Sequence, residues 1–478
     1  MKLLLVPFLF FSIITSAQNN VGIKSDGSLP DSSAKLDIQS TTQGFLLPRM
    51  TTSQRNAMPK KAPGLIVYDT DKQTLYLYNG SQWNPLAAVT NAELQAFATT
   101  ALPGSDYESF GCSVAISGNW AAVGAYGYDL PGKPDCGAVY LFNRINGAWQ
   151  QVQIITPTDA EASGRFGYSV AIDGDRLIAG AYLATIGANT YAGAAYIYHR
   201  ISNNWTEQIK LQASDPSAGD YFGWSVSIEG NSAIVGAPGD DGASTTDEGS
   251  AYIYRYESFI PGWVFDKKIL GTIPASNDKF GKSVSISGNY ALVGVPGRSS
   301  NAGIALIFEK TSNWLSVTAI NQFVAANSQF GASVFIKNAT IVIGAPNETV
   351  NGLIGRGKVY SFYYYFGWQY NGDILLPSLQ AGDLFGSSVS FANGYLIAGA
   401  PGRTVNGNAG QGEAYLFKQS GVQPSTVSWE YKRRINLNNG STNDQWGQNV
   451  SINGFNLITG TEWPQSSRGK VIFLNIEE

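Results

Sequence analysis

The sequence predicts an all-β protein: a seven-bladed β-propeller with a small β-rich N-terminal module after a signal peptide. Three observations predict it. A Phe-Gly dipeptide returns at near-constant spacing, a Gly-Ala-Pro-like motif follows it, and about four strand-like segments fill each interval. Phe110, Phe166, Phe222, Phe280, Phe330 and Phe385 each precede a glycine, and Trp446-Gly447 is a seventh variant. The intervals are 56, 56, 58, 50, 55 and 61 residues.

Composition agrees with a large packed protein. The chain has 478 residues, 44% hydrophobic and 12% aromatic, enough for a substantial core. Charged residues are 14%, against about 25% in ordinary globular chains, which excludes a disordered polyelectrolyte. The 54 glycines show no three-residue period, which excludes collagen. A formal charge of −4 without a long basic run gives no electrostatic footprint for nucleic acid.

Residues 1–17 read as a signal peptide. Lys2 gives the positive start, Leu3 to Ile14 the apolar stretch, and Thr15-Ser16-Ala17 the small-residue cleavage site. The stretch is short for a membrane span and no later segment reaches 18 apolar residues, so no transmembrane segment is expected in the mature chain. No cysteine follows to carry a lipid anchor. The expectation is export, to the medium or the cell surface.

Residues 18–90 form the N-terminal module. Ala34 to Ser40 alternates polar and apolar, and Gly44 to Met50, Gly64 to Asp69 and Leu75 to Gly80 with Trp83 add further strand-like runs. Together they resemble the short N-terminal module of secreted bacterial surface and tail-fibre-like proteins, which implies a stalk or homo-oligomerisation element. A leader packed on the following domain is the alternative.

Residues 91–478 are the repeats. In each, an alternating strand such as Phe166-Gly167-Tyr168-Ser169-Val170-Ala171-Ile172 ends in a tight turn, such as Gly118-Asn119, Gly174-Asp175, Gly230-Asn231 or Gly288-Asn289. A second strand runs into Gly-Ala-Pro, as in Ile234 to Pro238. A variable loop leads to a third strand, as in Gly249 to Tyr254, and a Trp marks the fourth (Trp149, Trp205, Trp263, Trp314, Trp368, Trp429). The seventh unit stops after its third strand, Lys470 to Leu474, while Glu93 to Phe97 precedes the first unit as Glu207 to Leu211 precedes the third. The N-terminal strand is therefore expected to complete the last blade.

These motifs, in this order and number, resemble the FG-GAP repeat family, whose best-known members are integrin α-chain propellers; a bacterial secreted member is implied. In integrin-like members an Asp-x-Asp-x-Asp-Gly loop between first and second strands often binds calcium, which takes 6–8 oxygen ligands. Here that connection is about two residues long, and paired carboxylates occur at Asp173 and Asp175 alone. The calcium loops are absent and no cofactor is expected. Asp240, Asp241 and Asp247 in the loop 240–248 are weak metal candidates, with a solvated surface loop as the alternative.

A tight first turn leaves one face of the disc featureless, and the longer loops gather on the other, where binding residues are expected. The candidates are Tyr126, Tyr128, Asp129, Tyr182, Tyr191, Asp240, Asp241, Arg298, Glu348, Arg356, Arg403 and Trp463; aromatics and arginines are strong interface anchors. The resemblance implies the same face for protein ligands. A carboxylate stands two residues before the repeat motif at Glu108, Asp220, Asp278, Asp383 and Asp444. It reads either as a cation-capturing rim or as a local turn-former bonding nearby amides.

Catalysis has little to work with. The single histidine, His199, falls inside a strand, and no catalytic residue is assigned. Cys112 and Cys136 are a possible disulfide, although strands one and three of a blade lie about 9–10 Å apart. The expected function is an exported, non-catalytic binding or adhesion module for a protein or glycan. The rivals are a secreted carbohydrate-active enzyme using paired carboxylates on the long-loop face, and a purely structural surface component.

Overall fold

The computed structural model describes residues 21–24, 36–40, 45–72, 74–86, 95–97, 109–259, 261–320, 324–421, 428–436, 440–461 and 469–476. The proposed signal peptide, Glu108 and Trp463 lie outside the described residues. The chain divides into two compact units, Met1–Ala92 and Glu93–Glu478.

In the first unit, Val21–Lys24 pairs in parallel with Leu36–Gln39, and Arg49–Met50, Ile66–Asp69, Thr74–Tyr78 and Trp83–Leu86 form a four-stranded sheet. The short helix Thr52–Asn56 opens with a capping box in which the Thr51 and Gln54 side chains each take the other's backbone amide. Asp69 is fully buried and anchors this helix to the sheet. It accepts from the Thr52 hydroxyl and from the amides of Asp71 and Lys72, and pairs with Arg55 at 3.1 Å. Burial opposes its charge, yet these partners hold its carboxyl below the usual range. Arg55 in turn lies over the Tyr76 ring, 3.5 Å from its centroid.

The second unit is a ring of seven four-stranded antiparallel sheets. Blade one comprises Phe110–Ser117, Trp120–Ala125, Ala138–Ile145 and Ala148–Ile155, and blades two to six repeat it. Blade seven takes Asn449–Asn453, Asn456–Gly460 and Val471–Asn475 from the end of the chain, and Gln95–Phe97 from before blade one. Phe97, Ala96 and Gln95 pair with Val471, Ile472 and Phe473. The ring is thereby closed by strands from opposite ends of the chain.

The core lies between neighbouring blades. Trp120, Val139 and Leu141 of blade one share a cluster with Phe166, Leu177 and Trp205 of blade two, and the pattern continues round the ring. The repeat motif builds each seam. Phe166 is fully buried and sits edge-on to Tyr196, with ring centroids 5.5 Å apart. The backbone of Phe166 bridges to Gly137 of the preceding blade, where a Cβ would stand 2.0 Å from the Phe166 carbonyl oxygen. That contact is why the third strand begins on glycine. Ser113 donates to the Gly167 carbonyl at 2.7 Å, and Ser169, Ser225, Ser283 and Ser333 do the same to Gly223, Gly281, Gly331 and Gly386.

The other end of each first strand is tied as well. Ser117, Asp173, Glu229 and Ser287 accept the amides of Gly174, Gly230, Gly288 and Asn338 in the next blade's turn, at 2.5–3.1 Å. Asp173 and Asp175 therefore serve different partners: Asp173 takes the Gly230 amide, and Asp175 pairs with Arg200.

Candidate functional site

The seven first strands surround an axial channel. Near the short turns it narrows to a cavity of about 200 Å³, and at the long-loop end it opens into a funnel of about 350 Å³. The residue after the glycine of each Phe-Gly or Trp-Gly motif stands at this mouth. Round the ring these are Cys112, Tyr168, Trp224, Lys282, Ala332, Ser387 and Gln448.

The loops above the mouth are fixed by a backbone device repeated from blade to blade. The residue just before the Phe-Gly position is left-handed in all seven units: Ser109, Arg165, Tyr221, Lys279, Gln329, Leu384 and Gln445, with φ between 52° and 58°. Each of the last six donates its amide to the loop of the preceding blade; Tyr221, for example, bonds the Tyr191 carbonyl at 3.1 Å. A left-handed non-glycine residue is disfavoured on its own, and here those six are held by the preceding blade.

On this frame the wall from blade one to blade four is aromatic and cationic. Tyr168 lies 4.3 Å from Tyr182 and 5.0 Å from Trp224, centroid to centroid, and Tyr182 is 5.0 Å from Trp224. Tyr126 flanks Tyr168 at 5.7 Å, and Tyr221 flanks Trp224 at 6.1 Å. The Lys282 ammonium lies 3.7 Å from the centroid of the Trp224 ring, and Arg165 donates to the Tyr182 hydroxyl at 2.9 Å. Tyr168, Tyr221, Trp224 and Lys282 are half-exposed. Such a surface offers flat apolar faces beside hydrogen-bond donors.

Comparison with known proteins decides the repeat type. Residues 99–142, 149–198, 205–254, 263–308 and 374–417 match the FG-GAP repeat. The ring is an FG-GAP propeller. Residues 22–100 match the phage tail like trimerisation region, which suggests oligomerisation. No curated protein matches the chain. Among solved structures it is similar to Sqt1 of Saccharomyces cerevisiae (11% identity, TM-score 0.43, covering 78% of this chain and 84% of that one). It is also similar to hydrazine synthase of Kuenenia stuttgartiensis (12% identity, TM-score 0.49, covering 79% and 99%). Neither likeness bears on function.

Within the FG-GAP propeller, the expected site residues separate into two groups. Tyr126 and Tyr182 join the aromatic wall, and Tyr191 is half-exposed on a loop behind it. The others stabilise loops. Tyr128 packs edge-on to Tyr140, and Asp129 accepts the Asp135 amide at 2.7 Å. Arg298 and Arg403 pair with Asp278 and Asp383 at 2.5 and 2.9 Å. Arg356 is buried and donates to the carbonyls of Leu376 and Pro377. Glu348 is buried beside Lys358 at 3.5 Å. These positions follow Gly-Ala-Pro closely, so their charges fall under the loops rather than on top of them.

The acidic loop is likewise knitted into the blade. Asp240 is buried against Ser250, Tyr252 and Lys268, the last at 2.7 Å, and Asp241 accepts the Asp247 amide at 2.8 Å. Thr245 donates to Glu248 within the same loop. Among the described residues no group of three or more His, Cys, Asp or Glu is arranged to hold a metal. The carboxylates before the repeat motif turn inward: Asp220, Asp278, Asp383 and Asp444 are buried, and each accepts the amide three residues upstream, at 2.6–2.9 Å. They form turns rather than a rim. Cys112 and Cys136 are both buried and no disulfide joins them; their thiols reach the carbonyls of Gly167 and Tyr128 at 3.4 and 3.3 Å. One strand between theirs keeps them apart.

The opposite face is not featureless, which corrects the reading from loop lengths. The connections between third and fourth strands also lie there, and those of blades three and five expose Phe259, Tyr365 and Phe366. Loop length alone hides them, because they sit in hairpins of ordinary size. Trp224, Tyr168 and Lys282 were missed for a related reason: the variable residue of Phe-Gly-x-Ser reads as an interior strand position until the ring places it at the mouth.

Proposed function

We propose that the chain is an exported, non-catalytic binding protein that engages a protein or glycan through the long-loop face of the propeller. The observation that carries this reading is the gathering of Tyr126, Tyr168, Tyr182 and Trp224, with Lys282 and Arg165, on one side of the channel mouth. Aromatic and basic side chains on a rigid scaffold are the usual anchors of recognition. The FG-GAP repeats and the apolar N-terminal leader support an extracellular setting. The trimerisation region adds multivalency: three rings in one assembly bind a repetitive surface far more tightly than one ring does.

The test is capture of the full mature chain on immobilised extracellular glycans and matrix proteins, with and without EDTA. Binding that persists in EDTA and falls in Tyr182→Ala and Trp224→Ala variants of unchanged melting temperature supports the proposal. Binding that ignores both substitutions overturns the assignment to this face. Sedimentation should give three times the chain mass.

A further inference from the structure

The hairpin between the third strand of blade five, Lys358–Tyr364, and its fourth, Trp368–Ile374, departs from its counterparts. Seven of the eleven residues from Phe362 to Gly372 are aromatic and none is charged. At the tip Tyr365 donates its amide to the Gly367 carbonyl at 2.8 Å, and Phe366 is left-handed with φ 50°. The same hairpins of blades one, two and four put Asn146, Ser202 and Asn313 in that conformation. A small polar residue such as asparagine tolerates it, whereas a bulky ring adopts it at a cost. The fold gains nothing in return, because the Phe366 side chain is 91% exposed. Backbone strain and an apolar ring in water both count against the folded state, which leaves recognition as the use for this residue.

The tip stands on a firm base. Tyr364 and Trp368 face each other across the hairpin at 5.4 Å, and both pack on Tyr290 of blade four, at 5.9 and 5.4 Å. Phe366 meets Tyr365 at 4.8 Å with the ring planes 72° apart, so the two form a corner. Rings set on such a base need little ordering when a ligand arrives.

Area and charge select the occupant. Tyr364, Tyr365 and Phe366 are 44%, 50% and 91% exposed, roughly 300–450 Å² of aromatic surface at about 150–250 Å² per ring. A folded partner or a second copy needs about 800 Å² on each side. An acidic chain or lipid headgroup finds no cation on the hairpin. What fits is a neutral chain that lays C–H faces on the negative faces of the rings and bonds to a tyrosine hydroxyl.

We propose that this hairpin is a second recognition element, on the face opposite the long loops, for a neutral polysaccharide. Its sugar rings stack on Phe366 and Tyr365 and bond to the Tyr365 hydroxyl. The proposal holds whether or not the long-loop face binds.

Retention of the full mature chain on cellulose, β-1,3-glucan and mannan tests it. Polygalacturonate and phosphatidylcholine–phosphatidylglycerol vesicles are the charged and lipid comparisons. At least one neutral polysaccharide should retain the protein, and added salt should not weaken the retention. Joint replacement Tyr365→Ser and Phe366→Asn should lower it tenfold or more. The same change should leave the melting temperature level or raise it, since asparagine suits the left-handed position. Phe259→Ala, an exposed ring on another blade, should change nothing. Absence of retention on all three neutral polysaccharides overturns the proposal. So does retention that falls with Tyr182→Ala and ignores the hairpin change, which assigns the sugar to the long-loop face. Hairpin-dependent binding to vesicles or polygalacturonate, or hairpin-dependent association of assemblies, in place of neutral polysaccharide retention names another occupant and overturns it as well.

Discussion

Ser225 in blade three donates its hydroxyl to the carbonyl of Gly281 in blade four at 2.8 Å, across the seam that joins them. The same carbonyl stands 2.0 Å from where a Cβ on Gly236 would be. One oxygen therefore explains two motif residues, the serine after Phe-Gly and the glycine of Gly-Ala-Pro. Ser225→Ala should cost about 1–3 kcal/mol, the usual result of leaving a buried carbonyl without its donor. Gly236→Ala should cost about 3 kcal/mol or more, because the obstructing atom is backbone and cannot rotate away. Denaturant melts of the two variants check this, and equal or negligible losses would contradict the seam.

Closure of the ring makes a second prediction. Gln95–Phe97 completes blade seven against Val471–Phe473. Deleting residues 91–104 leaves the third strand of that blade as an exposed edge, which invites aggregation. The deletion should unfold the ring or lower its melting temperature by more than ten degrees, about what a loss of several kcal/mol produces. An unchanged melting curve would sink the claim.

Arg403 distinguishes support from recognition. It pairs with buried Asp383 at 2.9 Å. Arg403→Met should destabilise the protein by about 1–3 kcal/mol, as when a mostly buried carboxylate loses its ion partner, while binding by the folded fraction stays at the level of the unmodified chain. A selective loss of binding without loss of stability would restore Arg403 to the recognition surface.

Stability should also respond to pH through Asp220. Burial, with the charges of Asp240 and Asp215 nearby, pushes its carboxyl from 3.8 up to about 6. The folded state then holds this proton more tightly than the unfolded chain, so stability rises as pH falls through 6 toward 4. Asp69, Asp159 and Asp215 shift the other way, and their contribution is lost below about pH 4. Melting temperature should therefore climb from pH 7.5 to 5 and fall again in stronger acid. Asp220→Asn should flatten the climb and leave the acid limb in place.

The propeller was legible because its requirements are local and repeated. Phe166 needs glycine after it and serine two further on whatever the ligand, so six seams write the same letters and the seventh, Trp446-Gly447-Gln448-Asn449, writes a variant of them. The site was less legible because recognition uses the positions the fold leaves free. Tyr168, Trp224 and Lys282 share a ring position but no chemistry, and periodicity is blind to a place that varies. The arginines misled for the opposite reason. Arg298 and Arg403 stand in the loops where ligand contacts are expected, yet the carboxylates they neutralise lie in the turns beneath them, far off in sequence and adjacent in the blade.

The closing strand also sets how the molecule carries load. Any pull entering through residues upstream of 92 reaches the ring first at Gln95–Phe97, the outermost strand of blade seven, which among the described residues pairs with its neighbour over three positions. Under tension that strand is the first to peel, and its departure turns a closed circle into an open array whose blades then come away from one end. A pull applied on the N-terminal side would therefore open the latch while the remaining seams are still whole.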